Sequence, residues 1–235
     1  MKALIWKELR ENIKWVALPT LVIGGIMAVL GPPFLMSYGT LFILALITAI
    51  FGAVLGFLQV FPEARGDKRS LLLHRPLSRS QIFLGKAVIG AGLYLLALGI
   101  PFAFVVVLVA TPGHMAEPFS WPMTLPWLAD VLTGLVYYFA GILVAQREAR
   151  WYGSRCLGLA AGLFCSILVW TAPQFWQALL AILLVGGLVV TAAWGSFLTG
   201  GAYAPQLRRA KIALALTYLM GLSVLSFTGK IFLGI

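Results

Sequence analysis

Long apolar runs alternate along this chain with short polar clusters, and the clusters alternate in kind. One set is basic: Lys2/Lys7/Arg10/Lys14, then Arg65/Lys68/Arg69/Arg75/Arg79/Lys86, then Arg147/Arg150/Arg155, then Arg208/Arg209/Lys211. The connections between them hold proline, glycine, serine and tryptophan and no lysine or arginine. The apolar runs lie at about Trp15–Leu35, Thr40–Phe61, Ser80–Ala110, Trp127–Ala145, Cys156–Thr171, Phe175–Leu198 and Ile212–Ile235. A helix needs roughly 17–25 apolar residues to cross a bilayer. The pattern therefore predicts an all-α, polytopic transmembrane bundle of six to seven spans over residues 15–235. Lysine and arginine favour the cytoplasmic side. All of the 17 basic residues except Lys230 fall on one side of this layout. That places the N-terminus in the cytoplasm.

Details of the runs sharpen the reading. The first is short, with Pro19 early and Gly31-Pro32-Pro33 as a stop. The third is long, and Pro101 inside it predicts a kink, because proline lacks the backbone donor. The fifth and sixth are divided only by Ala172-Pro173-Gln174. Two helices joined by a tight external turn fit the charge pattern better than one broken span. Residues 111–126 carry Pro112, Pro118, Pro122 and Pro126, which excludes a regular helix. Trp121 and Trp127 there suit an interfacial aromatic belt. The seventh run ends at Ile235 with no polar tail. Either the C-terminus is external or the chain is the N-terminal part of a longer protein.

Residues 1–14 are predicted to form an amphipathic helix rather than a signal peptide, since Glu8 and Glu11 interrupt the basic residues and no small-residue cleavage site follows. At 100° per residue, Ile5, Trp6, Leu9 and Ile13 share one face, with Lys7, Glu11 and Lys14 opposite. Trp6, Leu9 and Ile13 are the candidate contacts with lipid at the membrane interface. The alternative is a plain extension of the first span into water.

Composition agrees: 61% of residues are hydrophobic and 10% charged, against roughly 25% charged in soluble domains. A net charge of +10 would suggest nucleic acid in a soluble protein. Here the basic residues are spread as topology requires, which argues against nucleic acid as a partner. The two cysteines, Cys156 and Cys165, are nine residues apart in one helix and read as small apolar fillers. Glycines recur at four-residue spacing, Gly52/Gly56 and Gly158/Gly162, which lets helix backbones approach closely. Packing within the chain is the first reading, and a dimer face the second.

Much chemistry is missing. No GxxxxGK[ST] phosphate loop, HExxH or Gly-x-Ser-x-Gly elbow occurs, and His74 and His114 are the only histidines. No catalytic residue, metal site or resident cofactor is expected. Asp130 is the one acidic candidate within the runs, read as an interfacial or first-turn carboxylate favoured by the helix dipole. Lys86 is read as snorkelling to the cytoplasmic surface.

Glu63–Lys86 is the most organised polar segment: a short helix from Glu63, apolar residues Leu71–Leu73, a stop at Pro76, and a capping box of Ser78 with Gln81. Such a knob suits docking into a groove on a soluble partner, or contact with anionic headgroups. The segment resembles the first cytoplasmic loop of the type 2 ABC transporter permeases. The shared pattern is an acidic residue, a glycine, a leucine-rich stretch, Pro-x-Ser-Arg and Gly-Lys entering the next span. Here these are Glu63, Gly66, Leu71–Leu73, Pro76, Ser78, Arg79, Gly85 and Lys86. MKALIWKELREN resembles the family's N-terminal interfacial helix, and Gln146–Arg155 its short arginine-rich second loop. Asp67 departs from the threonine common after the glycine, and seven runs depart from the usual six spans.

The resemblance implies a permease subunit of an ABC exporter, with the loop about 63–79 as a coupling helix seated in a separate ATPase subunit. It points to Glu63, Arg65, Gly66, Asp67, Leu72, Pro76 and Arg79 as the contact. It implies ATP and Mg bound by that ATPase, a second permease half completing a homo- or heterodimer, and an apolar or amphipathic substrate. A membrane scaffold or assembly factor without transport is the alternative function.

Overall fold

The computed structural model describes residues 2–30, 37–64, 78–113, 118–146 and 156–199. These form seven α-helices and no strand: α1 Lys2–Asn12, α2 Lys14–Leu30, α3 Tyr38–Ala64, α4 Arg79–Ala110, α5 Leu125–Gln146, α6 Leu157–Thr171 and α7 Phe175–Thr199. One turn of 3-10 helix, Trp121–Met123, precedes α5. Within α3, α4, α5 and α7 are stretches long and apolar enough to cross a membrane, and α2 and α6 are apolar but shorter. This is the build of a helical membrane protein. The seventh run at 212–235 lies outside the described residues.

Direction alternates from α2 to α7. Thr20 of α2 meets Ala97 of α4, Tyr94 of α4 meets Val131 of α5, and Trp170 of α6 meets Asp130 of α5. Arg79 at the start of α4 meets Leu198 at the end of α7. The ends of α3, α5 and α7 and the start of α4 thus gather near α1, and this is called the near end. The far end holds the end of α4, the start of α5, the end of α6 and the start of α7.

Helix α5 is the centre. Its apolar window is 67% buried, against 28–39% for the other long helices. One apolar cluster packs α2, α3 and α4 on it through Leu55, Leu98, Tyr138 and Ile142. A second packs α6 and α7 on it through Val136, Ala140, Cys165 and Val185. Helices α3 and α5 run parallel with their backbones in contact. A Cβ at Gly52 would collide with the carbonyl of Gly134, one at Gly56 with that of Tyr138, and one at Gly141 with that of Ala53. Gly158 and Gly162 face Leu143 and Tyr137 of α5. Both glycine pairs are therefore spent on packing within the chain.

Several local expectations hold. Ser78 caps α4: its hydroxyl accepts the Gln81 amide at 3.2 Å, and the Gln81 side chain accepts the Ser78 amide at 3.1 Å. Helix α6 stops at Thr171 and α7 starts at Phe175, so the Ala172-Pro173-Gln174 turn divides two helices. Cys165 is buried. Cys156 is exposed at the N-cap of α6 and so fills no core space.

Helix assignment continues through Pro101. A proline removes the amide that would bond the carbonyl four residues earlier, here that of Ala97. The Thr20 hydroxyl reaches that carbonyl at 3.2 Å while also approaching its own Val16 carbonyl at 2.9 Å. The carbonyl left open by Pro101 thus shares the single Thr20 proton with that of Val16.

Trp127 departs from expectation. It is 1% exposed and packs edge-on against Phe102, ring centroids 5.1 Å apart. Trp121 stands exposed beside Phe119. One tryptophan is core and the other is surface, because α5 begins two residues before Trp127 and turns it inward.

Candidate functional site

At the near end a polar network joins four helices. Lys86 lies two turns into α4, yet it does not snorkel: it is 2% exposed, and its Nζ stands 2.6 Å from Glu8 Oε1 of α1, itself 1% exposed. The reason is that α1 folds against α4 and brings a carboxylate to it, which removes the need to reach water. The other Glu8 oxygen accepts Gln59 Nε2 of α3 at 3.0 Å. Gln59 Nε2 also reaches the Lys86 carbonyl at 3.0 Å. Tyr138 of α5 donates its hydroxyl to Gln59 Oε1 at 2.6 Å. Asn12 donates to the Glu8 carbonyl at 2.8 Å.

Gly90 makes room for this network. A Cβ there would collide with the Tyr138 hydroxyl and the Gln59 Oε1. A buried ion pair is tolerated when additional hydrogen bonds satisfy its remaining donors and lone pairs. Here both carboxylate oxygens, the ammonium, the amide and the phenol all have partners.

The network reorients α1. Its inward line is Glu8 and Asn12, both buried, not the apolar side. Of the candidate interfacial residues, Trp6 is 66% and Ile13 55% exposed, and Leu9 is half-buried beside Glu8. Lys7 and Glu11 pair across one turn at 3.8 Å, both partly exposed. The helix thus has a charged, buried face that fastens it to the bundle and an apolar flank that faces outward.

Of the candidate ATPase contacts, Arg65, Gly66, Asp67, Leu72 and Pro76 lie outside the described residues. Glu63 is the penultimate residue of α3. Arg79 opens α4, and its Nη1 donates to the Leu198 carbonyl at 2.6 Å, at the C-terminal end of α7, where a cation is favoured. Sequence reasoning does not single out Glu8, Gln59 or Tyr138. The signal that could have found them is a glutamine and a lysine inside otherwise apolar helices, with an acidic residue on a neighbouring amphipathic helix.

The far end holds another buried acidic side chain. Asp130 is the sixth residue of α5, past its first turn, and is 4% exposed. It therefore lies beyond the first-turn position and is covered by protein. Its Oδ1 accepts the indole N–H of Trp170 at 2.9 Å. Among the described residues no group of three or more His, Cys, Asp or Glu side chains comes together as a metal site.

Comparison with known proteins returns no match: no family model, no curated protein and no solved structure is significantly similar to this chain. The apolar helices make this an all-helical protein of the membrane-spanning kind, and what it does is argued from its own residues.

Proposed function

We propose that this chain is the transmembrane permease subunit of an ATP-binding cassette exporter, in the bacterial inner membrane with its N-terminus cytoplasmic. Helices α2 to α7, with the apolar run at 212–235, supply six to seven spans, and α1 lies at the interface with Trp6 and Ile13 toward lipid. A separate ATPase subunit binds ATP and Mg, and a second permease half completes the pathway.

The observation that carries this reading is the link from α1 to the start of α4. The capped first turn of α4 follows the 63–79 loop directly. Lys86, two turns further, is held by Glu8. A push on the loop would reach α4 through a rigid start, and α1 through the ion pair, in the same movement. Gln59 and Tyr138 carry it on to α3 and α5. The alternating helix directions also bring the flanks of the basic segments 65–77 and 147–155 to one end, which the charge rule assigns to the cytoplasm.

The test is purification of the tagged chain from its native membrane in mild detergent, with Glu63→Ala and Leu72→Asp beside it. An ATPase subunit is expected with the intact chain and is lost from the variants. Intact protein that brings no ATPase would sink this reading and favour the non-transporting scaffold.

A further inference from the structure

Asp130 is a carboxylate that the chain leaves half-partnered. Oδ1 is taken by Trp170, but Oδ2 is buried and has no partner among the described residues. The neighbouring hydroxyls are committed elsewhere. Tyr94 donates to the Val131 carbonyl at 2.9 Å and Thr133 to the Ala129 carbonyl at 2.8 Å. No ion pair among the described residues involves Asp130. A charged side chain at membrane depth is costly, and such residues ordinarily find a partner or mark a pathway.

Aromatic rings gather on the Trp170 side of Asp130. Trp170 is 44% exposed and meets Phe42 of α3 edge-on, ring centroids 6.0 Å apart. Phe42 is itself exposed. Trp127, three residues before Asp130 and so on the same side of α5, holds a buried indole N–H without a partner. A small metal ion needs several oxygen ligands, and one free carboxylate oxygen among indoles does not supply them. An organic cation asks for something else: a negative charge for its centre and aromatic faces for its apolar groups. Trp170 stands in the last turn of α6, next to Thr171 where that helix ends. Its part-exposed indole, bonded to Oδ1, borders the surface beside the carboxylate.

We infer that Asp130, with Trp170 and Phe42, binds the positive centre of an amphipathic organic cation, a quaternary ammonium or phosphonium carrying apolar groups. This names a substrate class for the permease and rests on that proposal for transport, whereas the binding belongs to this chain alone.

The experiment is equilibrium dialysis of the purified chain in detergent against tetraphenylphosphonium, with tetraphenylborate as an anion of the same shape. Saturable binding of the cation and none of the anion is expected. Asp130→Asn should weaken cation binding at least about tenfold, and Asp130→Glu should restore most of it. Trp170→Phe keeps the aromatic face but loses the indole N–H, so it should bind the cation as well as the parent or better. Absent cation binding, equal binding of the two probes, or full binding by a folded Asp130→Asn each overturns the proposal. The two probes on the unaltered chain decide the matter even where the asparagine variant does not fold. An ATPase that co-purifies with a chain that ignores the cation leaves the permease reading standing and removes this one, and the converse result separates them the other way.

Discussion

Helix α5 carries a buried polar side chain toward each end of the bundle, Tyr138 and Asp130, eight residues apart, or about 12 Å along the axis. The environments differ in one respect. Around Tyr138 every described polar group of the network has a partner, from Glu8 on α1 to Gln59 on α3 and Lys86 on α4. Around Asp130 one carboxylate oxygen and one indole N–H have none. A closed network holds a structure together. An open one costs stability and is kept for something outside the chain. The network at Tyr138 is therefore read as a fastening and Asp130 as a place of binding.

The largest effect should come from opening the closed end. Lys86→Met strands a buried carboxylate, and the loss should be about 3–5 kcal/mol. Glu8→Met combined with Lys86→Met removes both charges and should recover most of it. Denaturant unfolding of the purified chain in detergent reads both. A double variant no more stable than the single would show that the ion pair is not what fastens α1.

The next effect tests the scaffold that holds the two ends apart. Gly56→Leu drives a side chain into the Tyr138 carbonyl and should cost about 1–3 kcal/mol or more. The same change at Gly24, where nothing lies within 4 Å, should leave the unfolding midpoint almost unmoved. Equal effects at the two positions would mean that α3 and α5 do not pack through their glycines.

The smallest effect sharpens the contrast. Asp130→Asn keeps an acceptor for Trp170 and removes the lone charge, so stability should stay within about 1 kcal/mol of the parent. A loss as large as that of Lys86→Met would erase the distinction between the ends and make Asp130 a structural group.

Much of the scaffold is legible in the sequence, because it depends on local rules. The capping box at Ser78 and Gln81, the break at Ala172-Pro173-Gln174 and the close approach at Gly52 and Gly56 each follow from residues near one another in the chain. The site follows a different rule. Whether Lys86 snorkels or pairs depends on which helix comes to lie beside it, and Glu8 is too distant in sequence for any spacing argument. The same holds for α1, whose docking residues Glu8 and Asn12 lie off the apolar line read from its sequence. Trp127 is misplaced by its sequence context because interfacial and core tryptophans look alike until the start of α5 is fixed. Half of the residues that carry the resemblance to a coupling loop, Gly66, Leu71–Leu73 and Pro76, fall outside the described residues, so that reading stands on sequence.

The Glu8–Lys86 contact also has a history within each molecule's synthesis. Its partners are 78 residues apart, which at ribosomal speeds of about 5–20 residues per second is a wait of roughly 4–16 s. During that interval the first helix has left the ribosome with its carboxylate unanswered, while two more hydrophobic segments are still being made. The newborn chain must keep that carboxylate hydrated until the lysine arrives. A cell that lengthened the wait, by slow codons between the two positions, would be expected to lose more of this protein to quality control than one that shortened it.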